Sequence, residues 1–217
     1  MLRIVVINPN SNTAFTQHMD EAVEPLRFKG AVQIDCQTLV GTPLGIETQR
    51  DIDSVIDPVC ATVQREEETS DAFVIACFAD TGVASARELT AKPIIGICEA
   101  GIATALNYGE RYGVVSTSQA ANNAELRLIR AHGLDTRLAG NEPVDIAVVD
   151  MLTSPNTFAN MLRAGEKLKR AGAEVLVLGC AGMTPYRHQL SQALSLPVID
   201  PTVAATTMAI GMVMQQL

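Results

Sequence analysis

The sequence predicts an α/β protein of two similar lobes, each a mostly parallel sheet flanked by helices, related by a pseudo-twofold axis and facing each other across a cleft. Three observations carry that expectation. Short β-branched runs alternate with longer stretches of helical periodicity, the pattern of βαβ units. Most strand-like runs are apolar throughout rather than alternating, as expected when helices cover both faces of a parallel sheet. Finally, three runs recur in the same order. Arg3-Ile4-Val5-Val6-Ile7-Asn8 matches Arg111-Tyr112-Gly113-Val114-Val115-Ser116, the run ending at Cys77 matches the run ending at Cys180, and Lys92-Pro93-Ile94-Ile95-Gly96 matches Leu196-Pro197-Val198-Ile199-Asp200, at offsets of 108, 103 and 104.

Taken in order, strands are predicted over 3–7, 32–39, 72–76, 93–96, 112–115, 174–178 and 197–199. Helices are predicted between them over 13–26, 48–68, 82–89, 102–108, 119–132 and 157–170, and from 202 to the end. The first run, Ile4-Val5-Val6-Ile7, stops at the turn signal Asn8-Pro9-Asn10 and is too short for the apolar core of a secretion signal, so a cytoplasmic location is expected. Glu66-Glu67-Glu68 reads as a solvated helix end. The late apolar stretch from Val203 to Met214, interrupted by Thr206 and Thr207, is too short to span a bilayer and reads as a buried closing helix. The lobes are then 1–100 with 201–217, carrying Cys77, and 101–200, carrying Cys180, with no Pro/Ser/Gly-rich linker between them.

Composition narrows the function classes. In 217 residues, 47% are apolar and 18% charged, enough for a core that needs neither disulfides nor metal. Sixteen Lys and Arg against 24 Asp and Glu leave a net charge of −8, which argues against nucleic acid or an anionic membrane as the main partner. The cysteines, Cys36, Cys60, Cys77, Cys98 and Cys180, contain no CxxC pair, so neither a disulfide scaffold nor a zinc knuckle fits. His18, His132 and His188 show no HxxH or HExxH spacing, and the glycine-rich nucleotide loops are absent, so no metal and no cofactor is expected.

Ligands of parallel α/β sheets sit at the carboxyl ends of the strands. Cys77 and Cys180 stand there, at equivalent points of the repeat. A lone cysteine is ordinarily a buried apolar residue, and Cys36, Cys60 and Cys98 are read that way. Independent core cysteines have no reason to land on matched positions. A thiolate and a thiol on opposite faces of one carbon form a two-base pair: one removes a proton while the other delivers one to the far side. Such a pair inverts a stereocentre without a cofactor, provided a neighbouring carbonyl holds the carbanion. A helix beginning after each cysteine is expected to turn its positive end to the sulfur, and thiols that titrate near neutral pH suit the exchange of roles. Asn10 after the first strand, and Ser116 and Thr117 in the second lobe, offer amide and hydroxyl groups to a small-molecule substrate. Backbone N–H groups near Ala79, Ala181 and Gly182 are further candidate donors. Phe78 and Ile46 are expected to flank a substituent, and Glu47 is equally a structural acceptor or a ligand.

These motifs resemble a known family. Ile7-Asn8-Pro9-Asn10-Ser11, Val74-Ile75-Ala76-Cys77-Phe78-Ala79-Asp80, Ile94-Ile95-Gly96-Ile97-Cys98-Glu99-Ala100 and Leu178-Gly179-Cys180-Ala181-Gly182-Met183 are similar to the hydantoin and allantoin racemases of the aspartate/glutamate racemase superfamily. The resemblance implies two α/β lobes, a cofactor-independent two-cysteine mechanism, a 5-substituted hydantoin or allantoin as substrate, and a homo-oligomer. The sequence departs from the family pattern at Ala79 and Thr81, where Cys-Phe-Gly-Asp-Pro is usual, at Gly45, where a serine is usual, and at Ser116. All of these lie in the expected cleft loops and bear on substrate range. The alternatives are an amino-acid racemase or a maleate-isomerase-like member of the superfamily, or a non-catalytic small-molecule-binding protein. An unsaturated dicarboxylate would want cationic ligands, and the strand-end loops hold no Arg or Lys.

Overall fold

The computed structural model describes residues 1–28 and 30–215. In chain order the elements are β1 (Leu2–Asn8), α1 (Thr13–Val23), β2 (Val32–Thr38), α2 (Gln49–Ser54), α3 (Ile56–Glu66), β3 (Ala72–Ile75), α4 (Val83–Arg87), β4 (Ile94–Gly96), α5 (Ile97–Ala105), β5 (Tyr112–Ser116), α6 (Gln119–Ala131), β6 (Leu138–Pro143), α7 (Thr157–Arg170), β7 (Val175–Leu178), α8 (Arg187–Leu194), β8 (Val198–Ile199) and α9 (Pro201–Met214). They build two four-stranded sheets, ordered β2-β1-β3-β4 and β6-β5-β7-β8, with every pairing parallel. The same order twice is the sequence repeat seen in space.

Every residue of β3 and of β7 is buried, which is why these runs carry no polar alternation. Ile7 pairs with Ile75 in the first sheet and Val115 with Leu178 in the second. Cys77 and Cys180, each two residues past the end of its strand, therefore leave their sheets at corresponding edges. Between the sheets lie the two most apolar helices. α9 packs across β1, β3 and β4, α5 packs against β7 and β8, and the two helices pack on each other. Burial on all sides explains their nearly uninterrupted apolar sequences.

Several elements differ from the sequence-based expectation. β6 was not anticipated, because Leu-Ala-Gly-Asn-Glu-Pro is a poor strand sequence; it sits at a sheet edge, half-exposed throughout, where its terminal Pro143 costs no pairing. α8 was missed because only Leu190 and Leu194 mark its buried stripe. α5 begins at Ile97 rather than 102, its apolar first turn reading as a continuation of the strand. The long helix over 48–68 is broken at Val55, and Pro58 is accommodated in the first turn of α3. Glu66 is not solvated: its carboxylate pairs with Arg3 Nη2 at 3.0 Å, half-buried against the edge of β1. Residues 216 and 217 of the predicted closing helix lie outside the described residues. Among the described residues no helix is long and apolar enough to cross a membrane.

Candidate active site

The strand ends of both sheets converge on one narrow pocket. The first lobe contributes Asn10, Ile46, Glu47, Cys77, Phe78 and Ala79; the second contributes Thr117, Glu125, Cys180, Ala181 and Gly182. Phe15, Met19, Ile52 and Val148 complete apolar walls. Of the eleven residues singled out from sequence, ten thus face one cavity. Ser116 does not line it: it is fully buried one residue short of Thr117, and its hydroxyl lies unpaired behind the wall, near Glu125.

Local sequence explains how each group is held. Asn8 at the end of β1 is wholly buried and donates from Nδ2 to Asn10 Oδ1 at 3.1 Å, and the Asn12 amide donates to the same oxygen at 2.9 Å. With its acceptor occupied, Asn10 is oriented so that Nδ2 is the end left for a ligand. Cys180 is the N-cap of a six-residue 3-10 turn (Ala181–Tyr186), and its Sγ accepts the Gly182 N–H at 3.3 Å. That amide therefore serves the sulfur rather than standing open to substrate. A Cβ on Gly179 would come 2.7 Å from the Val115 carbonyl oxygen, so only glycine lets this loop pass so close to β5. Cys77 is followed by no helix until α4, six residues on, so no helix dipole begins at this sulfur; Thr81 Oγ1 donates to Sγ at 3.7 Å instead.

Both thiols lie far from the neutral range expected for them. Burial pushes Cys77 up to about 11, against the opposing pull of the Ala79 amide and the Thr81 hydroxyl. It pushes Cys180 up to about 12, eased by the Gly182 amide and aggravated by Cys77 and the carboxyls of Glu125 and Glu47. Two hydrogen bonds tie the lobes: between pocket-lining residues Glu47 Oε1 accepts the Val148 N–H at 2.7 Å, and at the surface Arg127 Nη2 donates to Gln49 Oε1 at 2.8 Å.

Residues 4–209 match the family described as Asp/Glu/Hydantoin racemase. The sequence is 33% identical to a hydantoin racemase of Paenarthrobacter aurescens over 98% of this chain and 91% of that one, and 32% identical to one of Rhizobium meliloti over 96% and 87%. The chain belongs to the Asp/Glu/hydantoin racemase family. Among solved structures, an allantoin racemase from Klebsiella pneumoniae superposes with a TM-score of 0.94 at 30% identity, covering all of this chain and 89% of that one. A glutamate racemase from Francisella tularensis, 16% identical with a TM-score of 0.73, shares the fold. This racemase-family chain is therefore an isomerase by relationship, and its two parallel four-stranded sheets are the two-lobe architecture of that group.

Within this racemase, sequence reasoning overlooked Glu125. It sits on the buried face of α6 with Asn122, Ala124 and Ile129, and Asn141 Nδ2 donates to its Oε2 at 2.8 Å. Burial raises its carboxyl to about 7, with Asn141 and Ser116 pulling the other way. The available signal was a charged side chain inside an otherwise buried helical stripe, since carboxylates are rarely buried and such groups cluster at functional sites. Among the described residues no Arg, Lys or His lines the pocket.

Proposed function

We propose that this chain racemises a neutral cyclic ureide, a 5-substituted hydantoin or allantoin, by cofactor-independent 1,1-proton transfer between Cys77 and Cys180. The observation that carries this reading is that two thiols from matched strand ends of a duplicated fold enter one cavity whose lining, among the described residues, holds carboxyls but no cation. A free amino acid or a dicarboxylate would bring its own carboxylate charge beside Glu47 and Glu125, with no cationic side chain among the described residues lining the pocket, whereas a ureide brings neutral carbonyls and N–H groups. The hydantoin and allantoin racemases to which the chain is similar support the same class.

The chemistry is a proton exchange. The C5–H of the ring lies beside a carbonyl, so its removal by one thiolate leaves an enolate whose oxygen needs a donor. Asn10 Nδ2 and the Thr117 hydroxyl supply the side-chain donors in this reading, with backbone N–H groups near Ala181 beside them. The opposite thiol then protonates C5 from the other face, and the negative charge ends on the second sulfur. Burial keeps thiolates scarce in the free protein but makes each one that forms a strong base toward a carbon acid. Phe78 and Ile46 flank the C5 substituent, and the Glu47 and Glu125 carboxyls suit ring N–H groups.

Solvent-deuterium incorporation followed by NMR tests this directly on single enantiomers of several 5-substituted hydantoins, allantoin and acidic amino acids. Exchange with inversion of a ureide is expected. Cys180→Ser should abolish inversion while retaining slow exchange of one enantiomer at Cys77. Turnover confined to acidic amino acids would overturn the substrate class, and full turnover in both Cys77→Ser and Cys180→Ser would overturn the mechanism.

A further inference from the structure

The two lobes repeat their backbone but serve their thiols differently. In each, the amide two residues beyond the cysteine points at the sulfur, Ala79 for Cys77 and Gly182 for Cys180. In each, the residue four beyond is a threonine, Thr81 and Thr184. There the likeness ends. Thr81 is buried and gives its hydroxyl to Cys77 Sγ at 3.7 Å. Thr184 makes no hydrogen bond to Cys180; it lies beside the Asp200 carboxylate, close enough to favour its ionisation, though neither Thr184 Oγ1 nor Asp200 Oδ2 closes an aligned bond.

The cause is where each lobe keeps a capping carboxylate. Asp200 is itself the N-cap of α9, its Oδ1 accepting from the amides of Thr202 at 2.9 Å and Val203 at 3.1 Å. The matching N-cap in the first lobe is Gly96, which has no side chain to offer. There the carboxylate comes from the Cys77 loop: Asp80 Oδ1 and Oδ2 accept from Cys98 at 2.8 Å and Glu99 at 3.0 Å, at the start of α5. A Cβ on Gly96 would stand 2.3 Å from Asp80 Cγ, so the two arrangements exclude each other. Tethering Asp80 to α5 holds the next residue, Thr81, against the sulfur.

We propose that Thr81 is a positioning residue that makes the thiol pair unequal, its hydroxyl holding Cys77 as the first of the two to ionise and so as the base of the resting protein. A hydroxyl donor stabilises a thiolate over a thiol, and among the described residues Cys180 receives only the Gly182 backbone N–H, with no side-chain donor to match it. The charges around the pair do not reverse this. Glu125 faces both sulfurs, Asp80 opposes ionisation of Cys77, Glu47 and Cys77 oppose that of Cys180, and the neutral thiol of Cys98 packs nearby. Burial pushes both thiols up, and at Cys77 alone a side-chain hydroxyl opposes it. Naming Cys77 as the base rests on the racemase reading above; the order of ionisation does not.

Alkylation of the intact protein by iodoacetamide without substrate, in brief pulses from pH 7 to 12, with Cys77 and Cys180 peptides quantified separately by mass spectrometry, reads that order. The Cys77 rate should bend at lower pH than the Cys180 rate. Thr81→Val, nearly isosteric, should move the Cys77 profile up by about 0.5 to 1 pH unit, slowing its alkylation roughly three- to tenfold at fixed pH, and leave Cys180 in place. Thr81→Ser should restore the native profile, and it keeps the test open if the valine variant folds poorly. The proposal is overturned if Cys180 ionises first, if Cys77 is unmoved by loss of the hydroxyl, or if both profiles shift together, which marks a general loosening of the fold. A chain that exchanges deuterium with no ureide would sink the racemase reading while leaving these profiles as they are.

Discussion

Transplanting the second lobe's capping arrangement into the first, by Asp80→Gly with Gly96→Asp, is expected to rescue most of the stability that either change alone removes. Asp80 holds two α5 amides, one buried and one half-buried, and does so at φ 46°, a left-handed conformation that L-residues rarely adopt. Asp80→Gly relieves that backbone but leaves both donors without an acceptor, at about 1–3 kcal/mol each, so a net loss of about 2–4 kcal/mol is expected. Gly96→Asp alone drives a side chain into the Asp80 carboxyl, its Cβ 2.3 Å from Cγ, and sets two carboxylates against each other in a buried site. A loss of about 3–5 kcal/mol follows, the range for an overpacked site with an unpaired buried charge. The two losses would add to about 5–9 kcal/mol, much of a domain's whole stability, if the sites were independent. Together they should not add. Gly96 sits at φ −82°, ψ 140° and Asp200 at φ −82°, ψ 115°, so an aspartate there is already shaped to cap α5 as Asp200 caps α9. The double variant should lie within about 1 kcal/mol of the native protein by N-cap energetics. Urea unfolding followed by far-ultraviolet circular dichroism reads this, since the chain has no Trp for fluorescence. Additive losses, or a double variant no more stable than Asp80→Gly, would refute the carboxylate-exchange account.

Two further predictions concern pH. Burial raises the carboxyls of Asp80 and Glu125 to about 7, above the unfolded values near 4, so the folded state binds the extra protons. The stability they contribute is complete below about pH 4 and lost as pH climbs through 7. The thermal midpoint should therefore fall between pH 5.5 and 8, with a shallower slope in Glu125→Gln; a midpoint that rises over that window would refute the assignment. With the thiols near 11 and 12, racemase kcat/KM should rise about tenfold per pH unit from 7 to 9, because the thiolate fraction does. A plateau already reached at pH 7.5 would show that a thiolate is present at rest.

The repeat made the paired sheets and the two sulfurs legible, because strands such as 72–75 and 175–178 are buried on both faces and say so in every residue. It failed where position in the fold, not residue type, decides. β6 is a strand because β5 offers it an edge, not because Gly140 and Asn141 favour one. Glu125 faces the pocket only because α6 crosses the end of β5 with that face inward. The thiols were read as near-neutral groups, since local sequence carries the donors around a sulfur but not the depth at which it is buried. The asymmetry of Asp80 and Asp200 was open to view, aligned with Met183 and Gly96, yet it acquires meaning only when a side chain from one loop is found filling the space of another.

Thermodynamics limits where that asymmetry can show. Enantiomers in water have an equilibrium constant of one, so kcat/KM must be the same in both directions however unequal the two bases are. If Cys77 is the resting base, the form of the protein that accepts one enantiomer directly is the more populated, and the other enantiomer must first meet a protein whose charge sits on Cys180. The inequality then falls on kcat and KM separately, raising or lowering both together for one enantiomer. Thr81→Val should change kcat/KM for the two enantiomers by one common factor while moving their two kcat values toward each other. Progress curves from each pure enantiomer, run to saturation and read by circular dichroism of the substrate, separate these quantities. Equal kcat values in the native protein, unchanged in the variant, would mean that the hydroxyl on Cys77 organises the loop without ranking the thiols.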